Sequence, residues 1–299
     1  MNAATTSTLR TWAELVRFSH SVFALPFALI AVFLAARSLP DRLPSFAQLL
    51  LILTCMIAAR SFAMTFNRIA DRHIDARNPR TATRPLQTGR ISLGQAWLFT
   101  ILAALIFFAA CAGFLVRDGN LWPLVLAAPT LLWLAGYSYT KRFTALAHFV
   151  LGAGIAFAPM AAWIAIHPPS LGWPAILLTG TVFFWIAGFD IIYACQDVDV
   201  DRRDGLFSIP ARFGIGPALV LSRACHVAAV GLLIALGVVT GLGWIYWSGV
   251  IVTAILLAAE QAVVKPDDLS RVNLAFFTLN GCVSLLLALA AVTDTLLRR

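Results

Sequence analysis

The chain has 299 residues, 60% of them hydrophobic and only 12% charged, with 22 Lys and Arg against 14 Asp and Glu for a formal net charge of +8. A soluble domain carries about 25% charged residues, so this composition excludes an ordinary water-soluble enzyme and points to lipid as the solvent. The basic residues sit in short stretches beside apolar segments, which argues against nucleic acid as their partner.

Apolar segments long enough to cross a bilayer run at about 18–37, 46–66, 93–116, 121–140, 145–166, 171–195, 214–240, 244–264 and 272–297. They predict an all-α, multi-pass bundle of nine transmembrane helices around a central cavity, the whole chain (1–299) forming one transmembrane domain. A helix satisfies its backbone groups within the segment, and no alternating strand pattern supports a barrel. Residues 1–11 are polar with one Arg, and the first apolar stretch is long and lacks a small-residue cleavage pattern. It therefore reads as the first helix and not as a signal peptide.

Orientation follows the Lys and Arg residues. One side collects 17 of the 22, namely Arg10, Arg17, the seven arginines from Arg60 to Arg90, Lys141, Arg142, Arg202, Arg203, Arg212, Arg223, Lys265 and Arg271. The other keeps Arg37, Arg42, Arg117, Arg298 and Arg299. The expectation is an integral protein of a bacterial inner (cytoplasmic) membrane, N-terminus in the cytoplasm and C-terminus outside, with the cavity opening to the cytoplasmic side. The five cysteines stand singly in apolar segments without a CxxC pair, so they read as packing residues.

Two polar runs interrupt this pattern, each at the cytoplasmic end of an even-numbered span. The first runs from Asn67 through Asp71 to Asp75, the second from Tyr193 through Asp197 to Asp201. Residues four apart stack on one helical face, so each run presents two carboxylates side by side. The shared spacing hints at an internal duplication that turns both runs toward the cavity. Asp190, seven residues before Asp197, continues that face into the membrane, where a charge costs about 2.5–3.5 kcal/mol and so faces a cavity or a partner. Asp199 and Asp204 point elsewhere and read as solvated, while Glu260 is expected to pair with Lys265 or Arg271. The five histidines show no ligand spacing, although His20 could line the cavity floor. The loop after the first run carries Arg77 and Asn78 before Pro79, and Arg80 and Arg84 between Pro79 and Pro85. The span at 121–140 ends in Tyr137-Ser138-Tyr139-Thr140-Lys141, which supplies a cation on the same side.

Mg²⁺ prefers oxygen ligands and is usually held by one or two carboxylates together with substrate phosphates. Two carboxylate pairs suit two such ions clamping one diphosphate, with Arg and Lys completing the shell. An apolar cavity beneath would take a hydrocarbon tail, so an isoprenyl diphosphate is the natural substrate. Its allylic C–O bond breaks once the departing diphosphate is stabilised, and an electron-rich ring then attacks the shielded cation. The carboxylates are read as metal ligands and not as a general acid and base.

At these residues the chain resembles the UbiA superfamily of membrane aromatic prenyltransferases. The family's N-D-x-x-D-x-x-x-D motif appears as Asn67, Asp71 and Asp75, with Arg68 replacing the usual Asp. Its D-x-x-x-D motif falls on Asp197 and Asp201, and its Y-x-x-x-K motif on Tyr137 and Lys141. The resemblance implies that Asp71, Asp75, Asp197 and Asp201 hold Mg²⁺ and the diphosphate. Asn67, Arg68, Arg80, Arg84, Tyr137, Lys141, Asp190 and Tyr193 are the substrate-binding set. It further implies a 4-hydroxybenzoate polyprenyltransferase-like enzyme serving quinone biosynthesis, with 1,4-dihydroxy-6-naphthoate of menaquinone synthesis through futalosine as the alternative acceptor. Membrane lipid is the surrounding partner, and no nucleic acid or obligatory protein partner is implied. A cation-coupled transporter is the rival of another class. It is disfavoured because the acidic residues gather at one mouth and not at the midplane. The D-G-x-x-A-R opening of the CDP-alcohol phosphotransferases is absent.

Overall fold

The computed structural model describes residues 11–12, 15 and 23–298. Arg10, Arg17, His20 and Arg299, expected on one side of the membrane or at the cavity floor, lie outside the described residues. The described chain is all-helical. In order it forms α1 (Leu25–Ala36), α2 (Phe46–Ala70), α3 (Arg72–Arg77), α4 (Leu93–Asp118), α5 (Trp122–Thr140) and α6 (Ala147–Ile166). There follow α7 (Trp173–Ala194), α8 (Val198–Arg203), α9 (Ile209–Phe213), α10 (Ile215–Thr240), α11 (Trp244–Val263) and α12 (Asn280–Leu297).

Each span read from the sequence has a helix at its place, but seven helices are long and apolar enough to cross a membrane. The difference lies in α1 and α5. α1 is 12 residues, because Phe23 and Ala24 form a turn before it and it ends at Ala36. α5 has 19 residues, but prolines at 123 and 129 and the polar Tyr-Ser-Tyr-Thr end dilute its apolar character. Lipid is the natural neighbour of the rest: α4 exposes Leu98, Ile101, Leu102, Leu105 and Ile106 along its length, a surface water would not tolerate.

Local chemistry sets the helix ends. Ser92 caps α4 through a capping box with Gln95, and Gly119 ends it in the left-handed region at φ 67°, where only glycine is unstrained. Two long helices stop at an aspartate. Asp71 follows α2 with φ −93° and ψ 6°, and Asp197 closes the 3₁₀ turn after α7 with φ −105° and ψ 6°. Each is followed by a six-residue helix whose fourth residue is the second aspartate, Asp75 or Asp201. The two runs thus share a backbone conformation as well as a spacing.

The chain divides into two compact units, one of residues 1–21 and 50–139, the other of residues 22–49 and 140–299. In the first, Ala58, Phe107, Cys111, Ala127 and Leu131 make a core between α2, α4 and α5, joined by Cys55. The Cys55 and Cys111 sulfurs stand 3.8 Å apart as free thiols. In the second, α7 lies against α6 and α10, and α12 against α1 and α11. Close approach there depends on absent side chains: a Cβ on Gly152 would stand 2.7 Å from the Phe183 carbonyl, and one on Gly188 2.5 Å from the His226 ring. Small residues at helix crossings are how apolar helices come close in lipid.

Candidate active site

In the first unit the end of α2 and the turn after α3 gather the first acidic run. Asp71 and Asp75 are 2% and 6% exposed, which a carboxylate tolerates only with partners. Asn67 Nδ2 donates to Asp71 Oδ2 at 3.0 Å, and Arg68 Nη1 donates to Asn67 Oδ1 at 3.4 Å. Arg84 Nη1 donates to Asp75 Oδ2, and Arg68 Nη1 lies 3.9 Å from the same oxygen. The loop is shaped around this pair: the Thr81 hydroxyl donates to the Asp75 carbonyl at 2.8 Å, and Asn78 Oδ1 accepts the Arg80 N–H at 2.9 Å. The partly buried Tyr137 comes from α5, close enough to Arg68, Asp71 and Arg60 for their charges to act on it. Asn67, Arg68, Asp71, Asp75, Arg84 and Tyr137 are therefore one constellation, and Arg80 stands in its loop.

In the second unit α7, the 3₁₀ turn and α8 follow one another from Trp173 to Arg203. They carry Asp190, Tyr193, Asp197 and Asp201. Asp190 stands about 10 Å deeper than Asp197 along the axis, at 1.5 Å per residue. Asp201 is within electrostatic reach of Ser208, Asp197, Lys141 and His148. The Ser208 oxygen accepts from the Ala211 N–H at 3.3 Å as the N-cap of α9. Its hydroxyl proton is thereby left to face Asp201. The Phe207 N–H donates to the Lys141 carbonyl at 2.7 Å, tying that loop to the turn after α5. Deeper in the unit, Tyr193 packs tilted against Phe276 with centroids 4.2 Å apart, and Phe276 meets Phe23 and Phe189 edge-on at 5.6 and 5.1 Å. Trp185 joins the same ring cluster against Phe23, Phe27 and Phe189.

Two expectations are corrected here. Asp204 is not solvated: its side chain is 6% exposed and accepts from Arg203 at 3.1 Å. Glu260 does not pair with Lys265 or Arg271. It is fully buried, accepts from Asn280 Nδ2 at 2.9 Å, and has His226 at 4.0 Å. The reason is a π-helical turn at Leu274–Leu279, which turns Asn280 inward to serve Glu260, Trp185 and the Ala275 carbonyl together. His148, to which the sequence reading assigned no role, is 5% exposed and hydrogen-bonded to Asp190 Oδ2 at 2.7 Å. Its partner lies 42 residues away, so no local pattern could reveal it.

Among the described residues no three His, Cys, Asp or Glu side chains converge as a complete metal site. Each acidic run offers two carboxylates, and the first adds the Asn67 amide. All are hard oxygen donors, fitting a small divalent cation that takes its remaining ligands from water and substrate.

A model of the UbiA prenyltransferase family matches residues 24–282. A 4-hydroxybenzoate octaprenyltransferase of Aromatoleum aromaticum is 30% identical over 269 residues, covering 88% of this chain and 86% of that protein. One of Xanthomonas euvesicatoria is 33% identical over 238 residues, with coverages of 79% and 74%. The apo structure of a UbiA homolog from Aeropyrum pernix K1 superposes with a TM-score of 0.81 at 34% identity, covering 92% of this chain and 98% of that one. A UbiA homolog from Archaeoglobus fulgidus, bound to GPP and Mg²⁺, shares the fold at a TM-score of 0.70 and 21% identity, with coverages of 95% and 99%. With this fold and these acidic runs, the chain belongs to the UbiA prenyltransferase family.

Proposed function

We propose that the protein transfers a polyprenyl group from an isoprenyl diphosphate to 4-hydroxybenzoate within a bacterial cytoplasmic membrane, using Mg²⁺. The observation that carries this reading is the first acidic cluster, two buried carboxylates ringed by Asn67, Arg68 and Arg84 at the end of a membrane-spanning helix. Support for the acceptor comes from the relatives called 4-hydroxybenzoate octaprenyltransferases, and for donor and metal from the homolog bound to GPP and Mg²⁺.

In this reading Asp71 and Asp75, and Asp197 and Asp201, hold Mg²⁺. When bound, Mg²⁺ neutralises the diphosphate and makes it a better leaving group. Arg68, Arg84, Asn67 and Lys141 donate to phosphate oxygens. Arg84 can exchange Asp75 for a phosphate without losing a charge-assisted bond. Tyr137 orients the same group, and Arg80 stands in the loop beside it. The rings of Phe23, Trp185, Phe189, Tyr193 and Phe276 exclude water and present π-faces to the allylic cation. Asp190 accepts a hydrogen bond from the acceptor hydroxyl, which leaves the ring electron-rich. The C–O bond breaks first and its electron pair leaves with the diphosphate, the ring carbon then bonds to the allylic cation, and the ring proton passes to the released diphosphate.

The test is transfer by purified protein in detergent, from geranyl diphosphate to 4-hydroxybenzoate or to 1,4-dihydroxy-6-naphthoate, with Mg²⁺ or with EDTA. The expected outcome is prenylated 4-hydroxybenzoate that vanishes with EDTA. Preference for the naphthoate would reassign the acceptor, and no product with either ring would sink the proposal.

A further inference from the structure

His148 stands in the first turn of α6, and both of its ring nitrogens are engaged. The Ile209 N–H, at the start of α9, points at Nε2 from 3.3 Å. A backbone N–H can only donate, so Nε2 is the acceptor and the ring proton lies on Nδ1. Nδ1–H therefore donates to Asp190 Oδ2 at 2.7 Å. Placing a proton on Nε2 instead would set it against the amide hydrogen of Ile209. Tautomer and ring orientation are fixed together.

The Asp190 carboxylate is not used up by this bond. Its side chain is 22% exposed, and no described residue hydrogen-bonds its other oxygen, Oδ1. The ring that holds Oδ2 also grips the segment carrying Ser208, whose hydroxyl faces Asp201. One imidazole thus sets both the rotamer of the deep carboxylate and the loop beside the second acidic run.

We propose that His148 is a positioning residue for the acceptor: it fixes Asp190 so that Oδ1 receives the phenolic hydroxyl of the incoming ring. This rests on the transfer reading above. A merely structural tie between α6 and α7 would need no free oxygen, whereas a carboxylate held by one oxygen with the other open is arranged for a ligand. Geometry at such a site matters because a misplacement of about 1 Å can cost on the order of a hundredfold in rate.

Two substitutions separate the roles of the two nitrogens. In H148N the side-chain amide N–H falls near Nδ1 and can still donate to Asp190. In H148Q the longer amide reaches toward Ile209 in place of Nε2 and leaves Oδ2 without its donor. Steady-state transfer is measured with each substrate varied in turn, alongside thermal unfolding of each variant. The expected result is that H148Q loses roughly ten- to a hundredfold in kcat/KM for 4-hydroxybenzoate. Its KM for geranyl diphosphate and its unfolding midpoint should stay at wild-type values, and H148N should recover most of the loss. H148Q with wild-type acceptor kinetics would overturn the proposal. So would variants that lose donor affinity, acceptor affinity and stability in parallel. Wild-type turnover is measured first: its absence overturns the transfer reading and the inference with it, while turnover unaffected by H148Q overturns the inference alone.

Discussion

Arg68 and Arg84 converge on one carboxylate, and that fixes what each can do. Asp75 is 6% exposed, and with one arginine removed it keeps only the other. A charge-assisted hydrogen bond is worth about 1.5–3 kcal/mol, so Arg84→Ala is predicted to weaken diphosphate binding roughly ten- to a hundredfold. Titration of geranyl diphosphate against the purified variant measures this, and unchanged affinity would remove Arg84 from the diphosphate site. Arg68, where the family motif has Asp, brings a cation to the acidic pair instead of a further ligand. Most of the first cluster was legible in the sequence because Asn67, Arg68, Asp71, Asp75 and Arg84 lie within 18 residues, while Tyr137 joins them from α5. His148 with Asp190, and Glu260 with Asn280, were not legible. Those partners are 42 and 20 residues apart, and only helix packing joins them.

The helices were the readable elements, since an apolar run of bilayer length has few alternatives. The span read at 171–195 is helix at Trp173–Ala194, and that at 214–240 is Ile215–Thr240. What the runs concealed is irregularity inside them. Hydropathy does not distinguish the π-turn at 274–279 from α-helix, yet it decides where Asn280 points. Asn280→Ala would strip partners from Glu260 Oε1, Trp185 Nε1 and the Ala275 carbonyl at once. A buried group left unsatisfied costs about 1–3 kcal/mol, so a clear fall in the detergent unfolding midpoint is expected, and an unchanged midpoint would mean those groups find other partners. Gly152→Ala belongs to the same scale. Its Cβ would meet backbone, not a flexible side chain, at 2.7 Å. Overpacking of about 1–3 kcal/mol should result, read as a lowered midpoint. A midpoint at the wild-type value would show that α6 and α7 can part freely.

For the whole molecule, class and chemistry were carried by the apolar spans, the one-sided Lys and Arg, the repeated acidic spacing and the run from Tyr137 to Lys141. The repeat extends to the backbone: each run breaks at an aspartate with ψ 6° and resumes in a six-residue helix. Each compact unit carries one run. Division into those units was not legible, because the first span joins a unit otherwise made from residue 140 onward, and no composition shift marks that choice. The positive-residue bias predicts a C-terminus outside the cytoplasm. A tag there should react with an impermeant label on intact cells, and labelling only after lysis would reverse the topology.

In the proposed reaction both runs serve one diphosphate. A double-mutant cycle of Asp71→Ala and Asp197→Ala, read as prenyl transfer at matched folded protein, tests it most directly. Residues acting as a unit are strongly non-additive. Each single variant should therefore lose most of the activity, and the double variant little more than either. Two independent losses that multiply, or one variant with wild-type turnover, would contradict the account.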